Sequence, residues 1–213
     1  MAIDPSQFHP INVADTCSVW NILSSARLHA AAMGANCDFC ITSFVHYECL
    51  VKARKFPKVV DNELRERLIR EQSYGRFLAY SCGIADLQTV QVLESRKRLG
   101  KGELSSIAFA MKIGQAVITD DQKARRLAES SGHRLTQTTP HLHSWLVFNG
   151  HLTDADHVLV KSQHEEMEGV LGPYLQQAYE LALQCKLNAA GFAPGDAAPS
   201  CLAPPASDES STP

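Results

Sequence analysis

The chain has 213 residues, a formal net charge of −3 and 45% hydrophobic residues. This length and apolar content suffice for a sizeable core, and the charge excludes a strongly basic nucleic-acid binder while it permits a local basic face. No apolar run approaches the ~20 residues that cross a bilayer, and the segment Met1–Ser6 lacks the features of a signal peptide. We therefore expect a cytoplasmic protein without a membrane partner.

Strand and helix signals alternate from the start of the chain, which predicts an α/β fold with a parallel sheet between helices. The first strand is predicted at residues 11–15, and a helix follows from Thr16 to about Ala32. A short buried strand at 39–42 leads into a helix that Ser43 is expected to cap and Pro57 to stop.

The middle of the chain is predicted to be mostly helical. Asp61 is expected to cap a charged helix over 63–72, and a second helix over 83–98 ends in three basic residues. A third helix begins at Glu103, shows apolar residues at the helical period and precedes a strand at 116–119.

The C-terminal part is predicted to hold a basic helix at 122–130, a strand at 134–138 and a helix that Pro140 opens. Two further helices are expected at about 154–168 and 173–190.

Three segments are predicted from this pattern. An α/β domain covers 1–150, a C-terminal helical extension covers 151–192, and 193–213 are expected to be disordered because they hold almost no bulky apolar side chains. The extension is a candidate contact for a second copy of the chain or for a protein partner.

Carboxylates fall at the ends of two predicted strands and at the start of a helix. Asp15 ends the first strand, Asp120 and Asp121 follow the strand at 116–119, and Glu103 opens its helix. The carboxyl ends of parallel strands meet at one edge of a sheet, so these acids are expected to converge there with Glu48. A divalent cation relieves the repulsion between such acids.

Hard oxygen ligands of this kind suit Mg²⁺ or Mn²⁺, and the natural chemistry is hydrolysis of a phosphodiester. We expect Asp15 to bind metal directly, Glu103 and Asp121 to complete the inner shell, and Glu48 to hold a metal or its water. Hydroxyl groups beside these acids are expected to orient them, and they belong to Thr16, Ser18 and Thr119.

The order of these motifs resembles the PIN-domain family of ribonucleases over roughly residues 9–148. The motifs are Asp15-Thr-Cys-Ser, Thr42-Ser-Phe-Val-His-Tyr-Glu48, Leu99-Gly-Lys-Gly-Glu103 and Ile118-Thr-Asp-Asp121. The resemblance implies a three-layer α/β/α fold and an endoribonuclease that uses Mg²⁺ or Mn²⁺. Many bacterial members are toxins, which makes an antitoxin protein a candidate partner. The residues that match the family's acids are Asp15, Glu48, Glu103 and Asp121, with Asp120 as a further metal candidate.

Each acid also has a purely structural interpretation. Asp15 and Asp120 are suited to capping the helices that follow them, and a glutamate such as Glu48 is often only a solvated side chain. The rival function is a catalytically weak member of the same fold that binds RNA or a protein. A nuclease or phosphatase for DNA or small phosphoesters would use the same metal chemistry.

Basic residues flank the predicted site and are candidate RNA phosphate contacts. The alternative is that they offset helix dipoles in solvent. They are Arg96, Lys97, Arg98 and Lys101 before Glu103, and Lys123, Arg125 and Arg126 after Asp121.

Seven cysteines suggest a metal site, but their positions favour reduced thiols packed in a core. Cys37-Asp-Phe-Cys40 would be the start of a zinc site, yet Cys40 falls in a predicted strand and Cys49 on the buried face of a helix. Cys17, Cys82 and Cys185 are likewise expected to be buried.

Overall fold

The computed structural model describes residues 4–53, 58–83, 85, 86, 88 and 99–190. Five strands in these ranges form one parallel sheet in the order β3-β2-β1-β4-β5. The strands are β1 (Ile11–Ala14), β2 (Asp38–Thr42), β3 (Ala79–Tyr80), β4 (Ala116–Ile118) and β5 (Thr136–Gln137). The chain adds β2 and β3 on one side of β1 and then β4 and β5 on the other side. Ligands bind in such sheets in the crevice at this change of direction, outside the carboxyl end of β1.

Helices connect the strands and continue after β5. They are α1 (Thr16–Ser24), α2 (Ala26–Gly34), α3 (Ser43–His46), a π-helix (Tyr47–Val51), α4 (Val59–Ser73), α5 (Lys101–Ile113), α6 (Gln122–Ser130), α7 (Thr139–Phe148), α8 (Asp154–Glu166) and α9 (Gly172–Ala189). None of the helices within the described ranges is long and apolar enough to span a membrane.

Two buried clusters lie on opposite faces of the sheet. On one face α5 and α6 pack against Val13 and Val117 through residues such as Ile107 and Leu127. On the other face α1, α2, α4 and the last three helices enclose Phe39, Ile41 and Ile118. This arrangement confirms the predicted three-layer α/β/α fold with a central parallel sheet.

The helix predicted over 16–32 is two helices, because Ser25 interrupts it. Ser25 has extended backbone angles and its hydroxyl accepts the Leu28 N–H, which starts α2. The same hydroxyl donates to Gln163 of α8 at 2.8 Å. A serine side chain competes with helical hydrogen bonds in this way, and the contact with α8 fixes the break.

Other predicted boundaries also move. Thr42, not Ser43, caps α3, and the helical segment ends at Val51 rather than continuing to Pro57, which lies outside the described residues. Asp61 lies inside α4, which begins at Val59, and its carboxylate accepts the Lys58 N–H at 3.0 Å. An acid in the first turn that accepts the N–H of the residue before the helix thus resembles a cap in the sequence.

Two strand predictions differ from the structure. The strand predicted over 134–138 has only two residues, 136–137, and β3 was not predicted because its two residues are both exposed. Most of the helix predicted over 83–98 lies outside the described residues.

The last two helices belong to the same buried cluster as the sheet. Val160, Leu175 and Ala182 are buried in it, and α9 packs along α7. His164 ties this region to α1, since its Nδ1 lies 2.7 Å from the Ser24 hydroxyl and its Nε2 accepts the Leu171 N–H at 2.9 Å. The segment boundary at residue 150 stays a prediction, and 193–213 lie outside the described residues.

The position of Gly169, beside the ring of His164, leaves no room for a side chain. A Cβ at this position would lie 2.2 Å from two atoms of the His164 ring. Gly169→Ala should therefore lower the free energy of unfolding by about 1–3 kcal/mol through overpacking. Gly34→Ala is the control, since no atom lies within 4 Å of its Cβ position. Thermal denaturation of both variants checks this, and equal melting temperatures would contradict the packing.

Candidate active site

Asp15 lies at the carboxyl end of β1 and is completely buried. Its N–H continues the ladder with β4 by donating to the Ile118 carbonyl at 3.2 Å. Its carboxylate accepts the Ser18 N–H at 2.7 Å and the Thr119 hydroxyl at 2.5 Å. Asp15 therefore caps α1, as its structural interpretation requires, and also stands at the strand edge where ligands bind.

The environment of Asp15 disfavours its charge. Burial raises the pKa of its carboxyl from 3.8 to about 7, while the hydrogen bonds from Thr119 and Ser18 act in the opposite direction. Repulsion from Asp120 adds to the increase in pKa. A cation at this position would restore the charged form.

Asp120 is held between three elements. Its carboxylate accepts the N–H and the hydroxyl of Thr139, at 2.8 and 2.6 Å, and the side-chain amide of Asn21 at 2.8 Å. Sequence reasoning missed both partners. Asn21 stands three residues after Ser18, one helical turn along α1, and this spacing is the signal that would have found it.

Asp121, rather than Asp120, caps α6. Its carboxylate accepts the Ala124 N–H at 2.8 Å, and its own N–H donates to the Thr119 hydroxyl at 3.3 Å. The two neighbouring acids therefore have different structural tasks, which a Thr-Asp-Asp sequence does not distinguish.

Glu48 lies in the π-helix, a distortion that is frequent at functional sites. Its Oε2 accepts the Thr16 hydroxyl at 2.7 Å. A Cβ at Gly102 would lie 2.3 Å from that same oxygen and 3.0 Å from the Thr16 hydroxyl oxygen. Glu48 thus contacts both α1 and the start of α5, and it is not a freely solvated side chain.

Glu103 stands in the first turn of α5. Its Oε2 is buried and has no hydrogen-bond partner among the described residues. A Cβ at Gly100 would lie 2.3 Å from this oxygen, so the glycine leaves the carboxylate its space. A buried carboxylate oxygen without a donor is costly, and a cation is the partner that would compensate it.

Hydrogen bonds fix the start of α5 over the ends of two strands. The Ser105 and Thr42 hydroxyls lie 2.7 Å apart, which connects α5 to the end of β2. The Ser106 hydroxyl donates to the Ala14 carbonyl at 3.3 Å, which connects it to the end of β1. Glu103 therefore reaches the same edge of the sheet as Asp15.

The convergence of the acids is visible at Cys17. Cys17 is exposed as a residue, but desolvation of its thiol first, and then repulsion from four nearby carboxylates, raises the pKa of the thiol to about 12. These carboxylates belong to Asp15, Glu103, Asp120 and Asp121. Glu48 accepts a hydrogen bond from Thr16, the residue before Cys17 in the chain. Four of the five acids that the sequence singled out thus act on Cys17, and Glu48 contacts its neighbour Thr16.

The donor chemistry of this cluster suits a hard divalent ion. In the part of the chain that the structure describes, no three His, Cys, Asp or Glu side chains are grouped so that they would hold a metal by themselves. Mg²⁺ does not require such a cage, because it keeps several waters and binds through one or two carboxylates together with substrate phosphate. The unpartnered oxygen of Glu103 fits this mode of binding.

The candidate phosphate contacts are placed only in part. Arg125 donates to the Thr119 carbonyl at 3.1 Å, and Lys101 and Lys123 are exposed at the first turns of α5 and α6. Arg96, Lys97 and Arg98 lie outside the described residues.

None of the six cysteines in the described ranges forms a disulfide, and their burial differs. Cys37 and Cys49 are buried as predicted, whereas Cys17 is exposed and Cys82 and Cys185 are intermediate. Cys17 was expected in the core but faces the acidic cluster, because α1 starts at the sheet edge and turns this residue away from the apolar layer.

Comparison with known proteins agrees with this geometry. A family model described as a PIN domain matches residues 11–161. The chain belongs to the PIN-domain family. This match confirms the family that the motif order indicated, and PIN domains are generally nucleases. No curated protein and no solved structure shows significant similarity to the chain.

Asp15→Asn tests the cost of the buried charge. The wild-type carboxyl keeps its proton up to about pH 7 in the folded protein, whereas it ionises near 3.8 in the unfolded chain. Wild-type stability should therefore fall as the pH rises from about 4 to 7, because the unfolded state loses its proton first. Asparagine keeps the shape without the charge, and the Thr119 hydroxyl can turn to accept its amide.

Without metal, Asp15→Asn should consequently be at least as stable as wild type at pH 8 and should lack this fall in stability. Thermal denaturation across the pH range measures both properties. Asparagine caps a helix as well as aspartate does, so a variant that is less stable than wild type at pH 8 would contradict the cost assigned to the buried charge.

Proposed function

We propose that the protein is a Mg²⁺- or Mn²⁺-dependent endoribonuclease that hydrolyses RNA phosphodiester bonds. The observation that carries this proposal is the buried, unpartnered oxygen of Glu103 among the acids around Cys17 at the sheet edge. Acids that repel one another, one of them with a buried oxygen that lacks a donor, are costly unless they serve to hold cations.

The ion would be held by Asp15, Glu103 and Asp121, with Asp120 as a further candidate. When bound, such an ion lowers the pKa of a water for attack on phosphorus and offsets the charge that develops on the phosphate oxygens.

The chain's own residues hold these acids in position. Thr119 and the Ser18 N–H fix the Asp15 carboxylate, so that its orientation does not depend on the ligand. Thr16 fixes Glu48 in the same way, at a position from which Glu48 can orient a water. This preorganisation keeps the acids aligned through the reaction.

RNA as substrate follows from the resemblance to PIN-domain ribonucleases, and the basic residues near the site support a polyanionic ligand. Lys101, Lys123 and Arg125 begin two helices around the acids, where their charge would hold phosphates. An antitoxin protein, self-association and a cytoplasmic location belong to the same proposal.

Cleavage of single-stranded RNA tests the function directly. Wild type should cut a mixed RNA pool with Mg²⁺ or Mn²⁺ and stop when a chelator is added. Asp15→Asn and Glu103→Gln should lose roughly 100-fold or more of the rate, because each removes a charge that would contact the ion. Glu66→Gln, at an exposed site on α4, is the matched control and should cut like wild type.

Two results would overturn the proposal. Cleavage that continues in chelator would exclude the metal role, and a folded wild type that binds RNA without cutting it would favour the catalytically weak alternative. Cleavage of DNA in place of RNA would contradict the proposed substrate and support the proposed acidic site.

A further inference from the structure

A cleft of about 690 Å³ begins at Asp120 and follows the edge strand β5 away from the acids. One wall is α6 and the other is α9, with β5 and the start of α7 between them. Sites that bind small organic ligands have volumes in this range. A cleft of this volume would hold roughly two nucleotides.

The α6 wall is polar and carries positive charge. Gln122, Arg125, Arg126 and Glu129 recur at helical spacing and all line the cleft. Neither arginine has an ion-pair partner within the described ranges. Glu129, at the end away from Asp120, is contacted by the Thr136 hydroxyl at 3.5 Å. The free cations thus stand between the acidic site and the far end of the cleft.

The α9 wall is largely apolar. Leu171, just before the helix, and Tyr174, Ala178 and Leu181 line it at helical spacing, together with the polar Gln177. Tyr174 is 58% exposed, and its ring is stacked on no other aromatic ring among the described residues. An exposed tyrosine ring at the side of a cleft is a platform on which a base can stack.

We propose that this cleft binds the RNA segment next to the cleaved bond, with a base on Tyr174 and a phosphate on Arg126. The inference rests on the proposed function, and it assigns α9 a part in substrate binding. One cationic wall opposite one apolar, aromatic wall matches a single strand, whose phosphates and base faces point to different sides. A duplex would hide its base faces from Tyr174.

Continuity with the acids favours RNA over a protein occupant. Asp120 is part of both the acidic cluster and the cleft, and Arg125 is hydrogen-bonded to the carbonyl of Thr119, the preceding residue. The part of a substrate strand that extends beyond the acids must lie on a neighbouring surface of the protein. The cleft is such a surface, since it begins at Asp120. The cleft therefore offers a substrate strand a path that is continuous with the acids.

Binding of a short, labelled single-stranded RNA in chelator, measured by fluorescence anisotropy, separates this proposal from catalysis. Tyr174→Ala should weaken binding about five-fold or more, whereas Tyr174→Phe should bind like wild type because the ring remains. Arg126→Ala should weaken binding and reduce the slope of log affinity against log salt by about 0.7.

Matched controls lie on α4 and at its end. Tyr74→Ala removes a ring that is 67% exposed, and Arg70→Ala removes an exposed cation, and neither residue lines the cleft. Both controls should retain wild-type affinity and salt dependence. Melting temperatures of all variants confirm that each is folded.

The outcomes distinguish the two proposals. If wild type binds and cuts RNA while Tyr174→Ala and Arg126→Ala bind like the controls, the cleft inference is wrong and the ribonuclease proposal stands. If wild type neither binds nor cuts RNA, both are wrong. If the two variants keep RNA but lose a copurifying protein, the cleft is a protein interface and the inference is again wrong.

Discussion

The parallel pairing of β1 with β4 is the constraint on which the site depends. Its register sets Ala14 opposite Ile118, so the next residues, Asp15 and Thr119, meet just beyond the sheet and form a hydrogen bond. Since both strands are completely buried there, the Asp15 carboxyl is desolvated and its pKa rises to about 7. The fold thus tolerates an unfavourable charge at the point where a cation would act.

The Gly-Lys-Gly segment before Glu103 serves the same site by leaving space. A side chain at Gly100 would collide with the Glu103 carboxylate, and one at Gly102 would collide with that of Glu48. The two glycines therefore allow two carboxylates to approach the start of one helix. The glycines of this segment thus make room for acids.

The acids could be predicted because an apolar strand followed by a carboxylate is a local pattern with one spatial consequence in a parallel sheet. Features that depend on contacts between residues far apart in the sequence could not be predicted. Ser25 divides a continuous helical pattern because it also contacts Gln163. Asp121 rather than Asp120 caps α6, because Asn21 and Thr139 bind Asp120. The α9 wall of the cleft could not be predicted for the same reason, since in the sequence its residues form one face of an ordinary amphipathic helix.

The central claim is that the acidic cluster holds a divalent ion in the native state, and Glu103 is its most diagnostic member. The direct measurement is the melting temperature of wild type, Glu103→Gln and Glu66→Gln as Mn²⁺ is added. A ligand that binds only the folded state stabilises it by mass action. Wild type and Glu66→Gln should gain stability equally, and Glu103→Gln should gain much less. Equal gains in all three proteins, or none in wild type, would contradict the account.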